Sequence, residues 1–343
     1  MKVSFLVTYY NQARFVEKSL NSILSQKLEY DYEILVVDDG SSDNTQDIVK
    51  SFVEKYPERI KLFVMPRDSE KSYNSILRVS EARIFLLKQA QGTYFLTLDG
   101  DDWYCDDTFV QQGIDILEKD RSLAACGFLY QMWHSADKIE KIAYFKSAKR
   151  IPACKYILRM YLHAGACIHR LANDSNQISI IEKTGIFDDN DILINTLNYG
   201  DMYFIPKIVY SYRQTGNSSW NSMSPLVQAI VNCWNYEILC RYSKFKNELF
   251  VRHIGCFKFV YENRANVQKL NTGKNKIYFD YAENNETQFL YRLLFWEKLS
   301  KKEKNILKRE LMMKMYFKKN YIKALKHRIL KLLKIKIMPG DVE

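Results

Sequence analysis

Over its first hundred residues the chain alternates short apolar runs with amphipathic segments, and that rhythm limits the folds open to it. The runs 3–8, 33–38, 61–65 and 93–99 are rich in Val, Leu, Ile and Phe. Between them, 11–26, 45–56 and 73–90 have helical spacing; in the first, Phe15, Ile23 and Leu24 fall on one side and Arg14, Glu17 and Lys18 elsewhere. Asp43 or Asn44 is placed to cap the second helix, and Gly92 to stop the third. A β-α-β-α-β-α-β order of apolar strands predicts an α/β fold, with a mostly parallel central sheet flanked by helices.

Three of the strands end in polar residues: Thr8-Tyr9-Tyr10-Asn11, Asp38-Asp39 and Asp99-Gly100-Asp101-Asp102. Ligands of open α/β sheets bind beyond the carboxyl ends of the strands, so these three ends should line one crevice. Carboxylates one residue apart just past a strand can converge on a hard cation; Mg2+ or Mn2+ favours such oxygens. The bland alternative is an acidic surface turn. Of the pair Asp38-Asp39, one carboxylate is able to accept from a nucleobase N–H, with Gly40 permitting a tight turn; the alternative is a capped strand-to-helix turn. A tyrosine at a strand end can stack on a base or pack in the core.

Past a helix at 107–119, strands are predicted at 124–133, 139–145 and 203–212, with Pro206 marking an edge or a short strand. Long helices follow at 226–246 and 305–333, which places a boundary near 225: an α/β domain over 1–225 and a helical, basic region over 226–343. The net charge is +11, yet 15 of the 51 Lys and Arg lie between Lys298 and Lys336 beside only Glu303 and Glu310. The rest, with 36 basic and 38 acidic residues, is close to neutral, so the two regions are expected to do different work.

These motifs resemble family 2 glycosyltransferases of the GT-A fold, bacterial surface-polysaccharide enzymes in particular, from residue 2 to about 220. The resemblance rests on Val7-Thr8-Tyr9-Tyr10-Asn11 through Gln26, on 36–43 around Asp38-Asp39-Gly40, on Ala82-Arg83 with 90–94, and on Asp99-Gly100-Asp101. It implies that Thr8, Tyr10 and Asp39 hold the nucleobase, uracil in the best-known members, and that Arg83 lies near the nucleotide. It also implies a divalent cation, Mn2+ or Mg2+, with Asp101 as direct ligand, Asp99 nearer the ribose and Asp102 in support. Asp191, with Asp189 second, matches the general base, although Asn190 stands where the family has Glu. Arg213, in the run Tyr212 to Trp220, matches a closing loop that meets the diphosphate, with Gly216 as its hinge.

The implied reaction is inverting transfer of a sugar from a nucleotide sugar, UDP-linked by expectation, to a saccharide or lipid-linked hydroxyl, in surface polysaccharide or glycolipid synthesis. A nucleotidyltransferase would want a glycine- and basic-rich loop after the first strand, and 9–14 has no glycine. A non-catalytic nucleotide- or membrane-binding scaffold has no use for Asp99, Asp101 and Asp191 together. His163 and His169 are read as structural, with a place near the acceptor as the alternative.

Seven cysteines without CxxC spacing suit a reducing compartment, and no apolar run approaches bilayer length. The expected location is cytoplasmic. Ile322, Leu325, Ile329, Leu332 and Leu333 recur at helical spacing, with Lys323, Lys326, Lys331 and Lys334 largely off that stripe. This reads as an interfacial helix on an anionic membrane, or as a stripe packed on the protein or on another subunit, including a second copy. No nucleic-acid module accompanies the basic residues.

Overall fold

The computed structural model describes residues 1–68, 73–135, 138–141, 146–159, 162–172, 175–214, 220, 223–284 and 288–332. Side chains at 135, 159, 175, 176, 274, 284, 288 and 324–332 are not among those described. Met1–Met223 and Arg241–Phe245 form one compact unit; Ser224–Cys240 and the chain from Lys246 form a second.

The first unit opens with β1 (Val3–Tyr9), α1 (Ala13–Leu24), β2 (Tyr32–Asp38), α2 (Thr45–Lys55), β3 (Ile60–Val64), α3 (Ser75–Gln89) and β4 (Tyr94–Asp99). It continues with β5 (Trp103–Tyr104), α4 (Phe109–Lys119), β6 (Leu123–Ser135), β7 (Lys138–Lys141), β8 (Lys149–Ile151), α5 (Ala153–Arg159), β9 (Cys167–Arg170), α6 (Ser175–Thr184), α7 (Asp189–Leu197) and β10 (Asp201–Arg213). The sheet order is β3-β2-β1-β4-β9-β6-β10-β5, with β7 on β6 and β8 on β10. Strands β3, β2, β1 and β4 are parallel, whereas β9 runs antiparallel to both β4 and β6. The parallel half matches the sequence reading. The other half is mixed, and β5, β8, β9, α5 and α6 were not foreseen.

Strand alternation divides the core between two faces. Val3, Phe5, Val7, Ile34 and Val36 pack with Val16, Leu20 and Ile23 of α1 and Val49 of α2. Leu6, Leu35 and Val37 point the other way, toward Leu86 of α3, Ile181 of α6 and Phe187. Burial on both sides explains why these strands read as unbroken apolar runs.

Two local expectations change. Pro206 lies inside a 13-residue strand, neither short nor wholly at an edge. Its missing N–H is tolerated because pairing with β6 is irregular between Phe204 and Ile208, while β8 and β5 pair only with residues on either side of it. Gly92 lies beyond the last turn of α3 and acts by close approach. Its N–H donates to Ser4 Oγ at 2.9 Å, and Ser4 Oγ donates to the buried Glu33 at 2.8 Å. Of the strand predicted at 139–145, residues 138–141 form β7 and 142–145 lie outside the described residues.

The second unit is helical: α8 (Pro225–Tyr242, its last two residues counted with the first unit), α9 (Lys246–Glu262), α10 (Arg264–Val267), α11 (Lys276–Asn284), α12 (Gln288–Leu294) and α13 (Lys301–Leu332). Trp234 packs edge-on against Tyr278 and Tyr281, and Phe257 against Tyr236 and Phe289. Leu307 and Leu311 anchor α13 in this core, while Met312, Met313, Tyr316 and Phe317 face solvent. No helix among the described residues is long and apolar enough to cross a membrane. Of the amphipathic stripe, Ile322 is half-buried; the side chains of Leu325, Ile329 and Leu332, and Leu333 entirely, lie outside the described residues.

A methyl group at Gly92 would stand 2.7 Å from both the Ser4 nitrogen and the Tyr94 carbonyl oxygen, and backbone cannot swing aside. Gly92→Ala is therefore expected to destabilise the protein by about 1–3 kcal/mol, read as a lower midpoint of urea unfolding. An unchanged midpoint contradicts this packing.

Candidate active site

The strand ends are built by short-range hydrogen bonds. Asp38 is fully buried and stabilises its own turn: Ser41 N–H donates to one oxygen at 2.8 Å, Gln46 Nε2 to the same oxygen at 2.7 Å, and Ser41 Oγ to the other at 2.5 Å. Gly40 adopts φ +68°, and a Cβ there would lie 3.1 Å from the Arg67 nitrogen and the Met65 oxygen. Asn11, also in the left-handed region at φ 51°, accepts from Ser42 N–H at 2.8 Å, which straps the β1 turn to the β2 turn. Asp43 rather than Asn44 makes the capping bonds, accepting from Thr45 N–H at 3.0 Å and from Ala13 N–H at 3.1 Å.

Asp39 sits where a nucleobase acceptor was expected, but its carboxylate is clamped. Arg78 Nε donates to one oxygen at 2.6 Å; Arg67 donates to the other through Nη2 and, at 3.1 Å, Nε. The Arg67 guanidinium also lies over the exposed Tyr10 ring, 3.7 Å from its centre. Sequence reasoning missed both arginines. A signal existed for one of them: Arg67 follows the end of β3, the fourth strand end of the parallel half.

Arg83 is buried on α3 and ties three elements together. It donates to Asp99 at 2.6 Å, to Asp188 at 2.9 Å and to the Phe187 carbonyl at 3.3 Å. Burial opposes its charge, but Asp99, Asp188 and Asp189 outweigh that and hold its pKa above the ordinary value. Burial likewise pushes Asp99 up, while Arg83, His163 and a hydrogen bond from the Thr8 hydroxyl bring it below the usual carboxylate range. Thr8 pairs with Asp99 in the β1–β4 register.

Asp101 is pushed up to about 6 by burial and by the charge of Asp99. Asp102 is raised further by burial and by Asp101 and Asp99. Both Asp102 oxygens are engaged: Tyr210 Oη donates to one at 2.6 Å and Arg213 N–H to the other at 2.7 Å. Asp102 therefore fixes the turn to β10.

The helix α7 carries the two carboxylates expected as base, and the structure separates them. Asp189 Oδ2 lies 3.8 Å from His163 Nε2. Burial raises its pKa, and His163, Asp188, Arg83 and Asp99 all act on it. Asp191 is buried, neither oxygen has a hydrogen-bond partner among the described residues, and burial with Asp188 and Asp189 pushes it well above the ordinary value. Asp189 thus stands in the carboxylate cluster, whereas Asp191 points into an unpaired buried position. The two histidines also part. His169 stacks on Phe95 at 4.9 Å, lies 3.2 Å from both Thr196 Oγ1 and the Ala164 carbonyl, and is lowered to about 4 by burial; it is structural. His163 accepts from Gly165 N–H at Nδ1, so its Nε2 carries the proton and faces the cluster.

Arg213, at the end of β10, donates from Nε to the Asp101 carbonyl at 2.7 Å. Its guanidinium lies 4.7 Å from the ring centres of Trp103 and Trp133 and 4.2 Å from that of Phe15. Gly216 and the rest of 215–219 lie outside the described residues.

The donor set fits a hard divalent cation. Asp99, Asp102 and His163 bring possible ligand atoms within 4.8 Å of one another, though His163 would have to give up its Nε2 proton to coordinate; Asp101, expected as direct ligand, is not in that trio. Asp101 nevertheless carries negative charge held at a cost beside Asp99, which a cation would relieve. Thr8, Asp99, Asp101, Asp102, Arg83 and Asp189 are thus linked through direct contacts or mutual charge, with Arg213 at the edge. Asp39 and Tyr10 form a neighbouring group at the ends of β2 and β1.

Residues 4–172 match the sequence model of the family described as Glycosyl transferase family 2. Among curated proteins, an uncharacterized glycosyltransferase of Nostoc is 43% identical over 61 residues, 18% of this chain and 19% of that protein. The uncharacterized glycosyltransferase EpsJ of Bacillus subtilis is 30% identical over 129 residues, covering 38% and 34%. Putative teichuronic acid biosynthesis glycosyltransferase TuaG of Bacillus subtilis is 30% identical over 126 residues, covering 37% and 46%. The matches thus span less than half of these three relatives. Among solved structures, S. aureus TarS in complex with UDP superposes with a TM-score of 0.53 at 17% identity, covering 86% of this chain and 90% of that one. The mannosyltransferase PcManGT from Pyrobaculum calidifontis, in complex with GDP-Man and Mn2+, gives 0.51 at 14% identity, covering 87% and 88%. Both likenesses bear on the fold, a GT-A-like α/β arrangement followed by helices.

Because Asp101 holds its proton up to about pH 6, a divalent cation must displace that proton at lower pH. Mn2+ affinity is expected to rise about tenfold from pH 5 to pH 7 and then level off, measured by calorimetry. A pH-independent affinity contradicts this picture.

Proposed function

We propose, for a chain that carries a family 2 glycosyltransferase domain over residues 4–172, that it transfers a sugar from a nucleoside diphosphate to an acceptor hydroxyl with inversion. The observation that carries this reading is the gathering of Asp99, Asp189, Arg83 and His163 in one polar network, with Arg83 paired to Asp99 at 2.6 Å and His163 Nε2 3.8 Å from Asp189. The nucleobase would lie against Tyr10 and the Asp39 clamp, with the diphosphate toward Asp99, Asp101 and Arg213. The Asp39 oxygen bonded by Arg78 accepts one arginine bond and keeps a lone pair, so it can still accept from a base N–H. A UDP-linked sugar remains the proposed donor.

Asp99 and Asp101 would hold the divalent cation, Mn2+ or Mg2+, with Asp102 fixing their turn. When bound, the cation supplies Lewis-acid stabilisation of the charge that develops on the departing diphosphate. The remaining chemistry belongs to the chain. The acceptor oxygen attacks the anomeric carbon opposite the leaving group and must lose its proton. Sequence pattern put Asp191 first for that role and Asp189 second; the geometry favours the reverse order. Asp189 borders His163 and the Asp99 network, and its raised pKa makes it a stronger proton acceptor than an ordinary carboxylate. Asp191, buried and unpaired, is proposed to be neutral and structural.

The acceptor is proposed to be a saccharide or a lipid-linked saccharide of a surface polysaccharide or glycolipid, handled in the cytoplasm at the membrane surface. Support for membrane contact comes from α13, where exposed Met312, Met313, Tyr316 and Phe317 share the helix with Arg309, Lys319 and Lys323.

Two measurements test this reading. A panel of UDP-, GDP-, CDP- and dTDP-sugars with Mn2+, scored by nucleoside diphosphate release, should select a UDP-sugar; release from none of them defeats the proposal. In the same assay Asp189→Asn should lower kcat at least ~100-fold with UDP affinity retained, while Asp191→Asn stays within a few-fold of the parent. The opposite pattern would return the base to Asp191. For the membrane contact, Met313→Glu with Tyr316→Glu should reduce co-sedimentation with phosphatidylglycerol vesicles several-fold; an unchanged bound fraction removes α13 from that role.

A further inference from the structure

Beside the carboxylate cluster, around the Arg213 already placed toward the diphosphate, lie two further cations that the proposed chemistry does not use. Arg14 and Lys18 are one helical turn apart on α1 and face the same way. The Lys18 ammonium lies 3.4 Å from the centre of the Trp103 ring and 5.7 Å from that of Trp133. Arg14 lies 4.5 Å from the Phe15 ring, and Arg213 touches that same ring together with both indoles. Among the described residues, no carboxylate forms an ion pair with Arg14, Lys18 or Arg213; Arg213 donates to the neutral Asp101 backbone carbonyl, and the nearby Asp101 and Asp102 charges favour its guanidinium without outweighing its burial.

Aromatic faces hold a cation by their quadrupole without neutralising it. Three cations pinned on three aromatic side chains therefore are not neutralised by them, and they repel one another. Burial and the nearby Arg213 together pull Lys18 below its ordinary pKa. Such crowding persists at a cost unless an anion enters. Position indicates which anion. Tyr10, Asp39 and Arg67 sit at the ends of β1, β2 and β3, on one side of Asp99 in the sheet order. Trp133 of β6, Arg213 of β10 and Trp103 of β5 sit on the other side of β4. A nucleotide lying from the first group to Asp99 leaves the second group for whatever receives the sugar.

We infer that Arg14 and Lys18, held on Phe15, Trp103 and Trp133 beside Arg213, form a subsite for a phosphate group carried by the acceptor, a phosphorylated saccharide or polyol, with Arg213 between it and the donor diphosphate. The indoles also offer the flat apolar surface that a sugar ring packs against. The word acceptor rests on the glycosyltransferase reading; the anion site does not, and a binding experiment separates the two.

Tryptophan fluorescence would be titrated with glucose 1-phosphate while UDP and Mg2+ are held at saturation, so that the diphosphate position is filled. Saturable quenching is expected, weakening as salt is raised, with methyl α-glucoside giving none. Lys18→Gln should weaken glucose 1-phosphate at least fivefold, Lys18→Arg should restore most of it, and UDP affinity measured separately should stay within twofold. Circular dichroism and the thermal midpoint establish that each variant is folded. The inference is overturned if glucose 1-phosphate gives no saturable change, if methyl α-glucoside binds as well, or if Lys18→Gln leaves the affinity unchanged. It is also overturned if Lys18→Gln weakens UDP as much as glucose 1-phosphate, since the cations would then serve the donor. None of these results touches the donor panel, which tests the transferase reading by itself.

Discussion

The buried guanidinium of Arg83 is the interaction on which the rest of the site depends. It joins α3, the end of β4 and the start of α7 through Asp99, the Phe187 carbonyl and Asp188. A charge that is almost wholly removed from water is tolerated only when it is paired and hydrogen-bonded. Here the pairing comes from carboxylates that a parallel sheet delivers at strand and helix ends. The same bonds fix the distance between the strand that ends in Asp99 and the helix that carries Asp189. One arginine therefore sets the geometry of the proposed donor side and the proposed base side together.

That constraint explains what the sequence made legible. Strands β1, β2 and β4 are buried on both faces, so they stand out as continuous apolar runs, and their ends stand out as abrupt polar breaks; the edge strand β3 is only partly buried. The antiparallel half does not advertise itself. Strand β9 is four residues long, and β8 three, too short for periodicity to register. Gly92 looked like a helix stop because spacing alone cannot distinguish a left-handed cap from a close approach to Ser4.

The side-chain partners were harder still. Asp39 was identified, but its clamps come from 28 and 39 residues further along, and nothing local announces them. Asp189 and Asp191 are two residues apart at the start of a helix, so they project about 200° apart around its axis. Whether one or the other reaches the cluster depends on helical phase, and phase was fixed only when Asp188 was seen to bond Arg83. The motif located the helix; the ion pair oriented it.

The arrangement of charge in the first unit follows a rule that runs through the whole site. Where a carboxylate has a guanidinium partner, as Asp39 and Asp99 do, the pair balances its charge and fixes backbone. Where like charges meet without a partner, as at Asp101 beside Asp99 or Lys18 beside Arg213, the fold retains an unfavourable interaction. Such positions do not stabilise the folded chain, so their persistence requires another reason. The acidic one suits a cation and the basic one suits an anion. They lie next to each other, joined by the bond from Arg213 to the Asp101 carbonyl. A ligand that satisfied one would alter the field at the other, so occupancy of the two positions should be coupled through Arg213.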